Sequence, residues 1–177
     1  VAACGSDDDE QQGGGNSQRV LNVNKNYDGK QPEVARLEFP RLKGGKSVVI
    51  VHKTNVSYGL NFCTEWDYEK MSQRWSCYQM HSGYTGESNR VVEGYLFDSQ
   101  LQSGAYWTTD YFYGSGYDHG HICPNADRKY SYDANYQTFY LTNMQPQYRK
   151  FNGFSTTGSD QGRGLWLRLE ERLRGWT

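Results

Sequence analysis

A chain of 177 residues, 36 % hydrophobic with a formal net charge of −1, has room for one domain and a tail but not comfortably for two domains. No run approaches the ~18 consecutive apolar residues that span a bilayer, which excludes a transmembrane helix in this stretch. Residues 1–40 hold four basic and seven acidic residues and residues 41–177 hold fifteen basic and thirteen acidic ones, a balance that excludes a module gripping polyanions by bulk charge alone.

The first elements are tail-like. Val1-Ala2-Ala3-Cys4-Gly5 reads as the end of a lipoprotein signal, with small residues before a Cys that takes the lipid. Ser6-Asp7-Asp8-Asp9-Glu10 and the Gln, Gly, Asn and Ser residues that follow show no apolar periodicity, so they cannot offset the entropy of ordering. Residues 1–32 are therefore expected to be a lipidated N-terminus (Cys4) and a disordered acidic tether, and residues 33–177 the folded domain. An acidic run after the lipid Cys resembles the surface-export signal of some Gram-negative lipoproteins, implying an outer-membrane or cell-surface protein, with the periplasm as the alternative. The membrane is then a partner only through the anchor at Cys4.

Further along, the 15 Tyr, 7 Phe and 5 Trp must supply much of the core, because each ring buries a large area. Residues 37–42 form an apolar approach ended by Pro40, and the Val-Val-Ile-Val run predicts a buried strand over residues 47–52. Two strand-like runs, 56–64 and 74–80, flank a polar turn near Lys70 and predict a hairpin. Cys63 and Cys77 lie about equally far from that turn, so either a disulfide or two buried thiols is expected there. Residues 81–116, rich in Gly, Ser, Tyr and Asn, read as loops with short strands or turns. A strand and turn is expected over 117–122, a helical turn over 133–136, a strand over 138–142 and a Gly/Ser/Thr loop over 153–164. At ~100° per residue, Leu165, Trp166, Leu169, Leu173 and Trp176 share one apolar sector, predicting an amphipathic helix over 165–176. Glu170 lies at the edge of that sector and Glu171 on its far side. The end of the chain is crowded with Arg149, Lys150, Arg163, Arg168, Arg172 and Arg174.

The chemistry concentrates in Tyr117-Asp118-His119-Gly120-His121-Ile122-Cys123-Pro124, with Asn143, Asn152 and Glu170 downstream. A neutral His can take a proton from water near pH 7. A hard divalent cation prefers oxygen ligands and retains water, so one Asn carbonyl can site it. An Arg can pair with the non-bridging oxygens of a phosphate.

Asp118-His119-Gly120-His121 followed by Cys123-Pro124-Asn125-Ala126-Asp127-Arg128 resembles the signature of the DNA/RNA non-specific endonucleases, whose motif usually reads Asp-Arg-Gly-His. Further blocks match in order: residues 138–147, Phe151-Asn152, and residues 165–170. The resemblance implies an α+β fold with a ββα-metal (His-Me finger) core and antiparallel sheet, and metal-dependent hydrolysis of DNA and RNA without strong sequence preference. By it, His121 is the general base, Asn152 the protein ligand of Mg²⁺ (Mn²⁺ as substitute), and Glu170 the holder of a metal-bound water. Asn143 orients the site near the phosphate, Arg90 is the upstream Arg, and Asp118, His119 and Gly120 support the motif.

Three departures accompany the likeness. His119 replaces the usual Arg. Asn152 and Glu170, normally about two turns apart on one helix, are separated by the loop at 153–164. The family domain continues past this helix whereas the sequence stops at Thr177, so an incomplete domain is expected. Alternatives are a nuclease-fold protein that binds nucleic acid without cutting, a zinc pair at His119 and His121 with Cys123 or Asp118 nearby, and a surface glycan-binding lipoprotein. His52 and His81 are expected to be structural, Asp118 to hold a turn, and Tyr111, Tyr113 and Tyr117 to serve core or loop packing, with base stacking as their alternative use.

Overall fold

The computed structural model describes residues 31–35, 38–55, 59–84, 86, 90–91, 93–101, 110–155 and 162–177; of the N-terminal segment expected over residues 1–32, Cys4 and everything up to residue 30 lie outside them, while Gln31 bonds the Val49 carbonyl and Pro32 opens a 3₁₀ turn. Strands β1 (Ser47–Lys53), β2 (Leu60–Asp67) and β3 (Ser72–Cys77) form an antiparallel sheet in chain order. The Val-Val-Ile-Val run of β1 is continuous because both faces of that strand are covered. Val49 and Val51 pack with Val34, Phe39 and Cys63, while Ile50 packs with Trp66 and Leu101 on the opposite face. The β2–β3 hairpin places Cys63 directly opposite Cys77, and both are thiols, so of the two expectations the disulfide is not formed.

The second unit is a ribbon of β4 (Asp118–His121) against β5 (Met144–Gln147), paired from Asp118↔Gln147 to His121↔Met144. Between them lies α1 (Tyr132–Gln137), capped by the Ser131 hydroxyl on the Ala134 N–H. The strand expected at 138–142 is not formed. The Thr138 and Tyr140 N–H groups bond back to the carbonyls of Asn135 and Gln137, continuing helical turns, and residues 141–143 make a further 3₁₀ turn. After β5 come α2 (Arg149–Asn152), a short pair β6 (Phe154–Ser155) with β7 (Gly162–Arg163), and α3 (Leu165–Arg174). Helix α3 keeps Leu165 and Leu169 of its apolar sector exposed, as is Trp176 beyond its end; Trp166 is its contact with the body of the domain.

The two units are joined through buried polar chemistry. His52 of β1 lies between the rings of Phe62 and Tyr140, and its Nε2 is 2.8 Å from Asp98 Oδ2. The same carboxylate accepts the Thr142 hydroxyl at 2.7 Å and the Gln100 N–H at 3.0 Å. Burial pushes the Asp98 carboxyl up, but the bonds from His52, Thr142 and Gln100 together hold it below the usual carboxylate range. Removing it strands two buried partners, His52 and Thr142, and frees the Gln100 N–H. Asp98→Ala is expected to lower the unfolding free energy by about 3 kcal/mol in urea denaturation, and a loss under ~1 kcal/mol would show that the pair does not join the two units.

Candidate active site

One cleft of about 490 Å³ is lined by Arg90, Asp118, His119, His121, Asn152 and Glu170, together with Tyr95 and Arg149. It therefore gathers most of the residues singled out in the sequence. His121 ends β4. Its ring is buried, stands edge-on to Phe139 at 5.0 Å, and leaves Nε2 without a hydrogen-bond partner. The His119 backbone also hydrogen-bonds the ring. Burial, followed by the nearby Arg90 charge, pushes the imidazole down to about 3. His121 thus presents a neutral imidazole whose Nε2 is unpartnered.

Two features hold that strand in register. At Gly120 a Cβ would overlap the side chain of Gln147 on β5. Asn143 is fully buried and brackets Cys123: its Oδ1 accepts the Cys123 N–H at 2.9 Å, and its Nδ2 donates to the carbonyls of Cys123 and Thr138, each at 2.9 Å. Asn143 was expected to orient the site beside the phosphate. Its amide is committed to backbone, so it acts on the turn after His121 and is not among the cleft-lining groups. The Cys123 thiol is buried and pushed up to about 12 by that burial.

His119, in the place of the usual Arg, is held flat between two rings, Tyr95 at 3.5 Å and Phe112 at 4.6 Å, with Nε2 2.8 Å from Asp110 Oδ2. The zinc reading gains no support from this arrangement: Cys123 is a buried thiol, and no group of three or more His, Cys, Asp or Glu able to hold a metal occurs among the described residues.

The 153–164 insertion does not separate Asn152 from Glu170. β6 and β7 pair at its base, and the Gly164 N–H bonds the Gly153 carbonyl at 2.6 Å, so the loop leaves and returns at one point. A Cβ at Gly164 would overlap the Phe151 carbonyl, which explains a glycine at the return. α3 then starts beside α2, with the Phe151 and Trp166 rings 6.0 Å apart. Asn152 donates from Nδ2 to Asp118 Oδ2 at 3.3 Å, while Arg149 reaches Asp118 Oδ1 at 3.2 Å. That leaves the Asn152 side-chain carbonyl oxygen, and not its amide nitrogen, as the atom that could take a cation.

On α3, Trp166, Glu170 and Arg174 follow one another at i, i+4 and i+8 and so share a face. Trp166 Nε1 donates to the His121 carbonyl at 3.1 Å, and Arg174 Nη1 bonds Asp127 Oδ1 at 2.5 Å. Glu170 is fixed between these two ties. Burial, helped by the Asp127 and Glu171 charges, pushes its carboxyl up to about 7 although Arg174 and Trp166 pull it back. Glu171 instead pairs with Arg163 at 3.0 Å. Arg90 sits with its guanidinium 4.8 Å from the Phe139 ring centroid, on the wall next to His121.

Asp110, Tyr95 and Trp166 have positioning roles that sequence reasoning did not assign. Trp166 carried a usable signal, one helical turn before Glu170 on the same face. The contact of Asp110 with His119 depends on a loop path that no periodicity encodes.

The sequence model of the DNA/RNA non-specific endonucleases matches residues 44–177. A nuclease of Nostoc sp. is 32 % identical over 114 residues, covering 64 % of this chain and 38 % of the relative. The mitochondrial nuclease EXOG of Xenopus laevis is 26 % identical over 156 residues, 85 % of this chain and 40 % of the relative. The chain thus spans well under half the length of these relatives. Among solved structures, the EndoG/EndoGI complex, described as showing the mechanism of EndoG inhibition, superposes with a TM-score of 0.56 at 22 % identity, covering 76 % of this chain and 50 % of that one. The fold is accordingly α+β with the antiparallel pair and following helix of the EndoG type, and the extent of the family match shows that this chain belongs to the DNA/RNA non-specific endonuclease family.

Proposed function

We propose that this chain hydrolyses phosphodiester bonds in DNA and RNA with His121 as general base. The observation that carries this reading is the buried, unpartnered Nε2 of His121 on the wall of a cleft that also holds Arg90, Asn152 and Glu170. A water beside Nε2 can lose its proton to that lone pair while attacking phosphorus. Arg90 stands where its guanidinium can pair with the non-bridging oxygens as their charge grows. Glu170, ionised above about pH 7, can accept hydrogen bonds from water in the same cleft.

The donor set suits a hard divalent cation. An amide carbonyl at Asn152 and a carboxylate at Glu170 face a polar cleft, and such ions take oxygen ligands and keep several waters. Asn152 would hold Mg²⁺, or Mn²⁺ in its place, and the ion would neutralise charge on the leaving oxygen. For the N-terminal segment the reading remains an anchor at Cys4 and a tether that holds the domain at the outer membrane or cell surface; radiolabelled palmitate should enter wild-type protein expressed with its own leader and not Cys4→Ala.

Purified protein is expected to digest plasmid DNA and RNA in Mg²⁺ and to stop when the metal is chelated. His121→Ala should lower the rate by about 10²–10⁴-fold in protein whose circular dichroism spectrum shows that it remains folded. Binding of nucleic acid without cutting by the wild type would establish the impaired-nuclease alternative instead.

The protonation state is separately checkable. Because His121 in the fold stays neutral down to about pH 3 whereas an unfolded His binds its proton near pH 6.5, the unfolded state takes up more protons between those values. The His121 contribution to stability is thus fully present above pH 6.5 and is lost as pH falls toward 3, by at most about 1.4 kcal/mol per unit. His121→Gln should flatten that part of the stability curve, and the His121 ring resonances should not shift between pH 8 and pH 5. An ordinary titration near pH 6.5 would contradict the buried neutral base.

A further inference from the structure

Residues 110–117 build a surface that the catalytic groups do not use. The Asp110 carboxylate takes the Phe112 N–H at 3.0 Å, the Ser115 N–H bonds the Phe112 carbonyl at 3.1 Å, and Gly114 and Gly116 sit at φ 72° and 84°, values that side chains other than Gly rarely adopt. Phe112 is the inward anchor, buried with Leu141 and Met144. Its neighbours are turned outward: Tyr111 is 62 % and Tyr113 90 % exposed. Tyr117, also exposed, has its ring 4.9 Å from that of Tyr148, which is 65 % exposed. Tyr117 packs on Tyr148 as expected, while Tyr111 and Tyr113 leave most of their rings in solvent, where the other use open to these residues, stacking on bases, is available.

These rings adjoin the catalytic cleft. Tyr113 and Tyr117 line it, and Tyr111, Tyr117 and Pro146 border an apolar hollow of about 180 Å³ next to it. Clustered exposed rings mark a binding surface, and the surrounding charge selects its ligand: Arg90 and Arg149 line the same cleft, complementary to a phosphate backbone. A base in a duplex has both faces covered by its neighbours, so only an unpaired base can offer a face to a tyrosine.

We propose that the ledge of Tyr111, Tyr113, Tyr117 and Tyr148 stacks an unpaired nucleobase beside the scissile phosphate, making single-stranded DNA or RNA the preferred substrate. This rests on the nuclease reading for its consequence in turnover, but base stacking can be measured without cutting. The full chain carrying His121→Ala is titrated into fluorescein-labelled oligothymidylate and into an abasic-spacer oligomer of equal length and charge, with anisotropy as readout. Adding Tyr113→Ala or Tyr148→Ala is expected to weaken oligothymidylate binding about 10-fold each and leave the abasic oligomer unaffected, while Tyr113→Phe and Tyr148→Phe retain affinity. With otherwise wild-type protein, the preference for a single strand over its duplex should shrink in both alanine variants.

Equal losses on both oligomers, or none on oligothymidylate, overturn the proposal and leave the ledge to another occupant such as a protein. The nuclease reading fails separately, if the wild type cuts neither strand form; base-selective binding by the His121→Ala chain would then still support the ledge.

Discussion

The short ladder between β4 and β5 is the constraint on which the site depends. It sets His121 opposite Met144 and Asp118 opposite Gln147, and because side chains alternate faces, a slip of one residue would turn His121 away from the cleft. A two-stranded ribbon has little stability of its own, so its register is secured from outside. Gly120 leaves room for Gln147, Asn143 brackets the turn, and Trp166 bonds the His121 carbonyl. Behind it, Thr142 is tied through Asp98 to His52 on the larger sheet. Catalytic geometry and fold stability therefore share the same buried bonds.

Burial also sets the electrostatics, with opposite effects on the two titrating groups. Excluding water disfavours whichever form is charged, so it lowers the His121 imidazole to about 3 and raises the Glu170 carboxyl to about 7. Two groups lining one cleft acquire the separated proton affinities that acid–base chemistry uses. His119 is handled differently: aromatic stacking and the Asp110 carboxylate hold its ring in place, making this position part of the strand's support.

Much of the architecture was legible because its signals are local. The Val-Val-Ile-Val run marked β1, symmetric placement about a turn put Cys63 opposite Cys77, and helical phase distinguished Glu170 from Glu171. Residues 138–142 misled because their alternation imitates a strand, while the backbone bonds actually continue the turns after α1. Which tyrosines of residues 110–117 pack and which face water was not legible for a related reason: composition reports how many rings exist, and only the glycine turns around Phe112 decide their exposure.

The sequence by itself determined the chemical inventory and its order: the His motif, the amides, the helix carrying Glu170, and the family to which they belong, since residue type and short-range periodicity are properties of the chain. Tertiary structure decided who meets whom. It closed the base of the 153–164 excursion so that Asn152 and Glu170 line one cleft, committed Asn143 to backbone, gave His119 an acid partner, and left four tyrosines at the surface. Those outcomes depend on loop paths and on competition among buried polar groups for partners, which span the chain and leave no local pattern to read.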